Sequence, residues 1–145
     1  MRIACLATKG FEDHELADPL KAMGTATTLI GDAAVAGRLV HAHGDQWRQV
    51  WAIAEADEAL GERIEPSRPY LMAELRWAVK EELGFTLADL LVRRVPIAFE
   101  TRDHGRSAAR RSGPLVAEWL GWDAQRLALE LEGYDAEVER LFRID

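Results

Sequence analysis

The stretch PYLMAELRWAVKEELGFTLADLLVRRVPIAF, Pro69 to Phe99, decides how this chain is to be read. Leu71, Leu75, Ala78 and Val79 recur at the spacing of one helix face, so residues 69–83 are expected to form a helix with a buried stripe. Tyr70, Glu74, Trp77 and Glu81 form a second, mixed stripe, while Arg76 and Lys80 point elsewhere, to water. Gly84 ends that helix. Thr86 followed by Asp89 is a shortened capping box for a second helix, with Phe85 and Leu90 at the staple positions around it. Leu87, Leu90 and Leu91 face the core, and Asp89 and Arg93 stand at i, i+4 in the favourable order for an ion pair. Pro96 forbids continuation and pushes Val95 out of helical geometry.

On the N-terminal side, residues 2–7, RIACLA, have a strand-like character and end at Lys9-Gly10. Phe11 to Met23 reads as a helix that Pro19 disturbs, Gly24 as its stop, and TATTLI (25–30) as a second short β-branched strand. Gly31 marks a boundary, giving an N-terminal strand-helix-strand or linker appendage over 1–31 and a helical domain over 32–145. Asp32 caps a helix that ends at Gly44, and Asp45 caps one carrying Trp47, Val50, Trp51 and Ala54. Residues 55–68 read as a helical turn plus loop, and 100–112 as a polar loop or frayed helix. Pro114 is best tolerated in a first turn, so a helix is expected to start near Gly113. After Gly121, Asp123 caps a last helix with the stripe Leu127, Leu131, Tyr134, Val138 and Leu141. The fold class is mainly α, a bundle of about five to six helices with a short β/α or irregular N-terminal appendage.

Composition narrows the function classes. A chain of 145 residues is one typical domain, and 48% apolar residues suffice for a core. The net charge of −7 argues against general nucleic-acid or anionic-membrane binding. No apolar run approaches the length of a membrane span. The single cysteine, Cys5, forms no internal disulfide, which fits a reducing cytoplasm.

The chemistry-bearing residues do not assemble into an active site. His41 and His43, two apart, fall on nearly opposite sides of a helix, and His14 and His104 lie in other segments without a thiolate at ligand spacing, which argues against a metal. Cys5 has no local base or nucleophile elbow. Glu74 and Glu81 beside Trp77 read as a solvated helix face. Arg93, Arg94, Arg102, Arg106, Arg110 and Arg111 make a basic island in an acidic chain, either an anion or partner contact or a set of surface ion pairs. No GxGxxG fingerprint occurs, so no dinucleotide cofactor is expected in this chain.

In order along the chain stand Leu39-Val40 before Gly44, Pro69-Tyr70-Leu71, Ala73-Glu74-Leu75, Ala78-Val79, Glu81-Glu82 and Thr86-Leu87-Ala88-Asp89-Leu90-Leu91. Arg93-Arg94, Leu120-Gly121-Trp122-Asp123 and Tyr134 follow. This ordered set, over residues 32 to 145, resembles the C-terminal helical domain of FAD-dependent glycerol-3-phosphate dehydrogenases and glycerophosphate oxidases. Departures are Val95 where the family often has Thr, Gly84 where Ala is common, His43 for an aromatic, and Gly113-Pro114 within a longer helix. The resemblance implies a non-catalytic, accessory or remnant domain, with FAD and substrate held by a separate or missing part. It implies docking on an FAD-bearing chain, or self-association as a homodimer. Tyr70, Glu74, Trp77, Arg93 and Arg94 are then the candidate docking surface. Residues 1–30 resemble the opening strand and helix of the PfpI-like hydrolase and glyoxalase superfamily, with Glu12 at its acidic position, which implies the alternative of a small hydrolase using Cys5.

Overall fold

The computed structural model describes residues 19–144; the expected strand at 2–7, Cys5, Glu12 and His14 lie outside them. Seven α-helices occupy the described residues: α1 (Pro19–Ile30), α2 (Ala33–His43), α3 (Trp47–Ala56), α4 (Met72–Glu81), the single turn α5 (Ile97–Glu100), α6 (Arg106–Leu120) and α7 (Ala124–Phe142). A 3₁₀ turn, Glu58–Gly61, follows α3, and a π-helical segment, Asp89–Arg94, precedes α5. The mainly helical class is as expected.

The centre is α4. It packs against α3, α6 and the π segment, while α1 lies on α2 and α6 on α7. Met72, Ala73, Glu74, Leu75, Trp77 and Ala78 are all buried, so along its first two turns α4 meets water only at the half-buried Arg76. A helix covered on nearly every side must bury polar groups that its sequence carries there, and those groups then need partners.

Local expectations hold where the signal is local. Asp32 accepts from the N–H groups of Ala34 and Val35 at 3.0 and 3.1 Å and so caps α2. Gly44 closes that helix at φ +55, a conformation costly for other residues. Asp123 accepts from Arg126 N at 2.7 Å and starts α7. Thr86 Oγ1 accepts from Asp89 N at 3.0 Å, the forward half of the expected box, while the Asp89 carboxylate accepts from Phe85 N at 3.4 Å, one residue before the cap.

Four expectations are overturned. TATTLI is helical, not a strand: Thr27 and Thr28 return their hydroxyls to the carbonyls of Met23 and Gly24 at 2.8 and 3.0 Å, as threonine can within a helix. Gly24 does not stop a helix: α1 runs through it to Ile30, while the part of the expected 11–23 helix that precedes Pro19 lies outside the described residues. Asp45 caps nothing, because a 3₁₀ turn over Gly44–Gln46 leads into α3. Pro114 lies inside α6, which already begins at Arg106. The buried set Ala108, Ala109, Ser112, Gly113 and Val116 explains this last case. Packing of that face, with Gly113 letting Leu127 of α7 approach to 3.0 Å from where a Cβ would stand, outweighs the carbonyl partner that proline withholds.

Candidate functional site

The residues expected to form a docking surface separate into two groups at opposite ends of α4. At its N-terminal end, Glu74 is 1% exposed. Its Oε1 accepts from Arg38 Nε at 2.9 Å and lies 3.0 Å from His43 Nε2, the ring donating in its Nε2-protonated form. Its Oε2 accepts from the backbone N–H of Leu71 at 3.2 Å, one of the orphan donors of the first helical turn. The Arg38 guanidinium also lies over the Tyr70 ring at 4.6 Å. Tyr70 is buried, and its hydroxyl donates to Glu100 Oε1 at 2.6 Å. Burial first, and then the Glu100 carboxylate, push the Tyr70 phenol up to about 12. Trp77 is buried as well.

Glu74 is therefore not on a solvated face. It is a charged group enclosed between α2 and α4: Arg38 and His43 tie it to α2, and the Leu71 N–H bond caps its own helix. Such a cluster is costly to break, since removal of one member leaves a desolvated charge behind.

At the C-terminal end the picture reverses. Arg93 and Arg94 are exposed. Arg93 reaches Asp89 at 3.1 Å, the pair expected from spacing, and also Glu137 of α7 at 3.4 Å. Arg94 Nη2 donates to the carbonyl of Glu82 at 2.9 Å, compensating the last turn of α4. Between Glu82 and the cap at Thr86 the chain passes through Leu83 at φ +57 and then Gly84. Leu83 is 69% and Phe85 55% exposed, so Phe85 does not act as a staple on Leu90. Gly84 lies between them, buried, its N–H bonded to Ala78 O at 3.1 Å. A Cβ on Gly84 would stand 2.6 Å from Leu90 Cδ2. Beside this turn runs a groove of about 270 Å³ lined by Thr86, Ala88, Arg93, Leu129, Glu130 and Glu137 among others.

The remaining arginines are mostly engaged in structure. Arg106 binds Asp135 at 3.1 Å and Glu139 at 2.8 Å, Arg110 approaches Asp135 at 3.8 Å, and Arg111 donates to Ile64 O at 3.5 Å. Arg102 lines a polar cleft of about 380 Å³ with Arg68, Glu65, Glu100 and Asp103. Asp103 in that cleft accepts from Gly105 N and Ser107 N at the start of α6. Burial opposes its ionisation, but the bonds from Ser107 and Gly105 prevail and hold its carboxyl below the usual range. His104 stacks on Phe142 at 4.0 Å, and His41 is exposed. Among the described residues no group of three or more His, Cys, Asp or Glu is placed to hold a metal ion, and no helix is long and apolar enough to cross a membrane.

Sequence reasoning missed the partners of Glu74 and the exposure of Leu83 and Phe85. For Glu74 the signal was present: residues 71, 74, 75 and 78 follow the i, i+3, i+4, i+7 template of one buried face. For Leu83 and Phe85 no local pattern marks exposure.

Fold and polar interior together define an all-helical domain centred on one enclosed helix, its ionic groups used to hold helices together. Comparison with known proteins gives that class a family. The C-terminal domain of alpha-glycerophosphate oxidase matches residues 13–127, and the chain belongs to that family. It is 31% identical over 98 residues to a glycerol-3-phosphate dehydrogenase of Synechocystis, covering 68% of this chain and 18% of that protein. It is 34% identical over 101 residues to the mitochondrial glycerol-3-phosphate dehydrogenase SDP6 of Arabidopsis thaliana, 70% of this chain and 16% of that one. A Mycobacterium leprae glycerol-3-phosphate dehydrogenase is 37% identical over 86 residues, 59% of this chain and 14% of that protein. The chain thus matches about one sixth of the length of these curated relatives. No solved structure matches it.

Proposed function

We propose that this chain is an accessory helical domain of the glycerol-3-phosphate dehydrogenase type, carrying no catalytic residue of its own and docking on an FAD-bearing partner that performs the oxidation. The observation that carries this reading is proportion. The matched region is a 14% to 18% share of each dehydrogenase, so most of such an enzyme is made of sequence other than this domain. The inward use of Glu74, Tyr70 and Arg38 supports it, since these polar groups are occupied with one another and with Glu100 and His43. We place the domain in the cytoplasm, in keeping with one cysteine and no internal disulfide.

The test is direct. Purified chain, given glycerol 3-phosphate and an artificial electron acceptor, is expected to reduce nothing and to show no flavin absorbance. Flavin that remains bound through purification, with turnover by the chain alone, would overturn the reading.

A further inference from the structure

We propose that Leu83 and Phe85, with the Arg94 guanidinium beside them, form a knuckle that inserts into an apolar, acid-rimmed socket on the flavin-bearing partner. This rests on the docking reading above and adds to it the surface and the chemistry of the contact.

The local backbone is built to hold these side chains out. A leucine at φ +57 is uncommon, because its Cβ crowds the following carbonyl, and strained residues of this kind persist where the surroundings over-determine them. Here the surroundings are the bond from Gly84 N to Ala78 O at 3.1 Å, the seat of Gly84 against Leu90, and the bond from Arg94 to Glu82 O at 2.9 Å. The turn is also tied to α7, where Leu87 N donates to Glu130 Oε2 at 3.3 Å. On that helix Leu129, 57% exposed, lines the adjoining groove with Thr86. Leu83 and Phe85 therefore stand in water as two large apolar groups flanking a buried glycine, next in sequence to the groove wall that carries Leu129. Nothing in the described residues covers them. A π-helical segment, a form often found at functional positions, begins four residues after Phe85.

Two observations point to the occupant. In the relatives, more than four fifths of the protein lies outside the region that matches this chain, and a domain within a larger enzyme must spend part of its surface on the remainder. Arg94 has no carboxylate partner among the described residues, so its free donors call for acidic groups on a different surface. Aromatic and arginine side chains are also the usual anchors of such contacts.

The experiment uses the tagged chain against extracts of the source cells, with retained flavoprotein read by flavin fluorescence and by dye reduction with glycerol 3-phosphate. The parent chain is expected to retain the flavoprotein. Leu83→Asn combined with Phe85→Ser should lower retention at least tenfold without lowering the melting temperature, since asparagine tolerates the left-handed backbone. Arg94→Glu should lower it severalfold and flatten its salt dependence. Ile144→Ser, at another exposed apolar position, should change nothing. Equal retention by parent and double variant overturns the knuckle and leaves the docking reading standing. No flavoprotein on the parent overturns the docking reading, and this inference with it. A parent that is a dimer split by the same double variant assigns the surface to self-association and overturns the proposal.

Discussion

The two ends of α4 carry similar residue types and use them in opposite ways. At the N-terminal end a carboxylate, a guanidinium, an imidazole and a phenol close on one another, and Glu74 is left 1% exposed. At the C-terminal end the arginines stay in water and two large apolar side chains are held out beside them. Charge indoors demands complete pairing and so serves stability, whereas apolar surface outdoors is tolerated at little cost and serves contact. The lesson is that residue type alone does not locate function on this domain. Enclosure does.

The comparison breaks most easily at Glu74. Glu74→Ala strands Arg38 and His43 in a desolvated space and frees the Leu71 N–H, so the loss should be about 3–5 kcal/mol, read by urea denaturation. A loss under about 0.5 kcal/mol would mean that the cluster does not hold α2 to α4. Gly84→Ala comes next, because its Cβ would press on Leu90, which is fully buried; about 1–3 kcal/mol is expected from the same measurement. An unchanged midpoint would show that the turn is not clamped. Asp32→Ala is the smallest, about 1 kcal/mol, the ordinary cost of a lost N-cap.

Asp32 also gives a pH signature. Its bond from Arg63 at 2.8 Å, and then the bond from Val35 N, hold its carboxyl below the ordinary aspartate value of 3.8. Its contribution is therefore present above 3.8 and disappears as pH falls through the lower, folded-state value. Asp32→Asn should flatten the acid limb of a stability-against-pH curve, and an identical limb in parent and variant would refute that assignment.

How much of this was legible in the sequence follows from the range of each interaction. Asp32, Gly44, Thr86 with Asp89, Asp89 with Arg93, and Asp123 act within four residues, and the sequence shows them directly. Arg38 lies 36 residues from Glu74 and His43 lies 31 away, so only the packing of α2 on the centre of the fold could join them. Pro114 inside α6 is likewise a tertiary result, a proline yielding where a whole face is buried, whereas the helix through 25–30 buries only Ala26 of that stretch and returns the Thr27 and Thr28 hydroxyls to carbonyls four residues back. The Arg93–Arg94 pair was half legible. Arg93 meets the partner that its spacing promises, while Arg94 reaches back 12 residues to a carbonyl.

The central claim is that contact with the flavoprotein lies on the knuckle and not in the polar cluster around Glu74. It is tested by the affinity of the folded chain for that flavoprotein, measured side by side for Glu74→Gln and for Leu83→Asn. The account predicts that Glu74→Gln, under conditions where it remains folded, binds as the parent does, while Leu83→Asn binds several times more weakly at unchanged stability. A folded Glu74→Gln that fails to bind, beside a Leu83→Asn that binds normally, would contradict it.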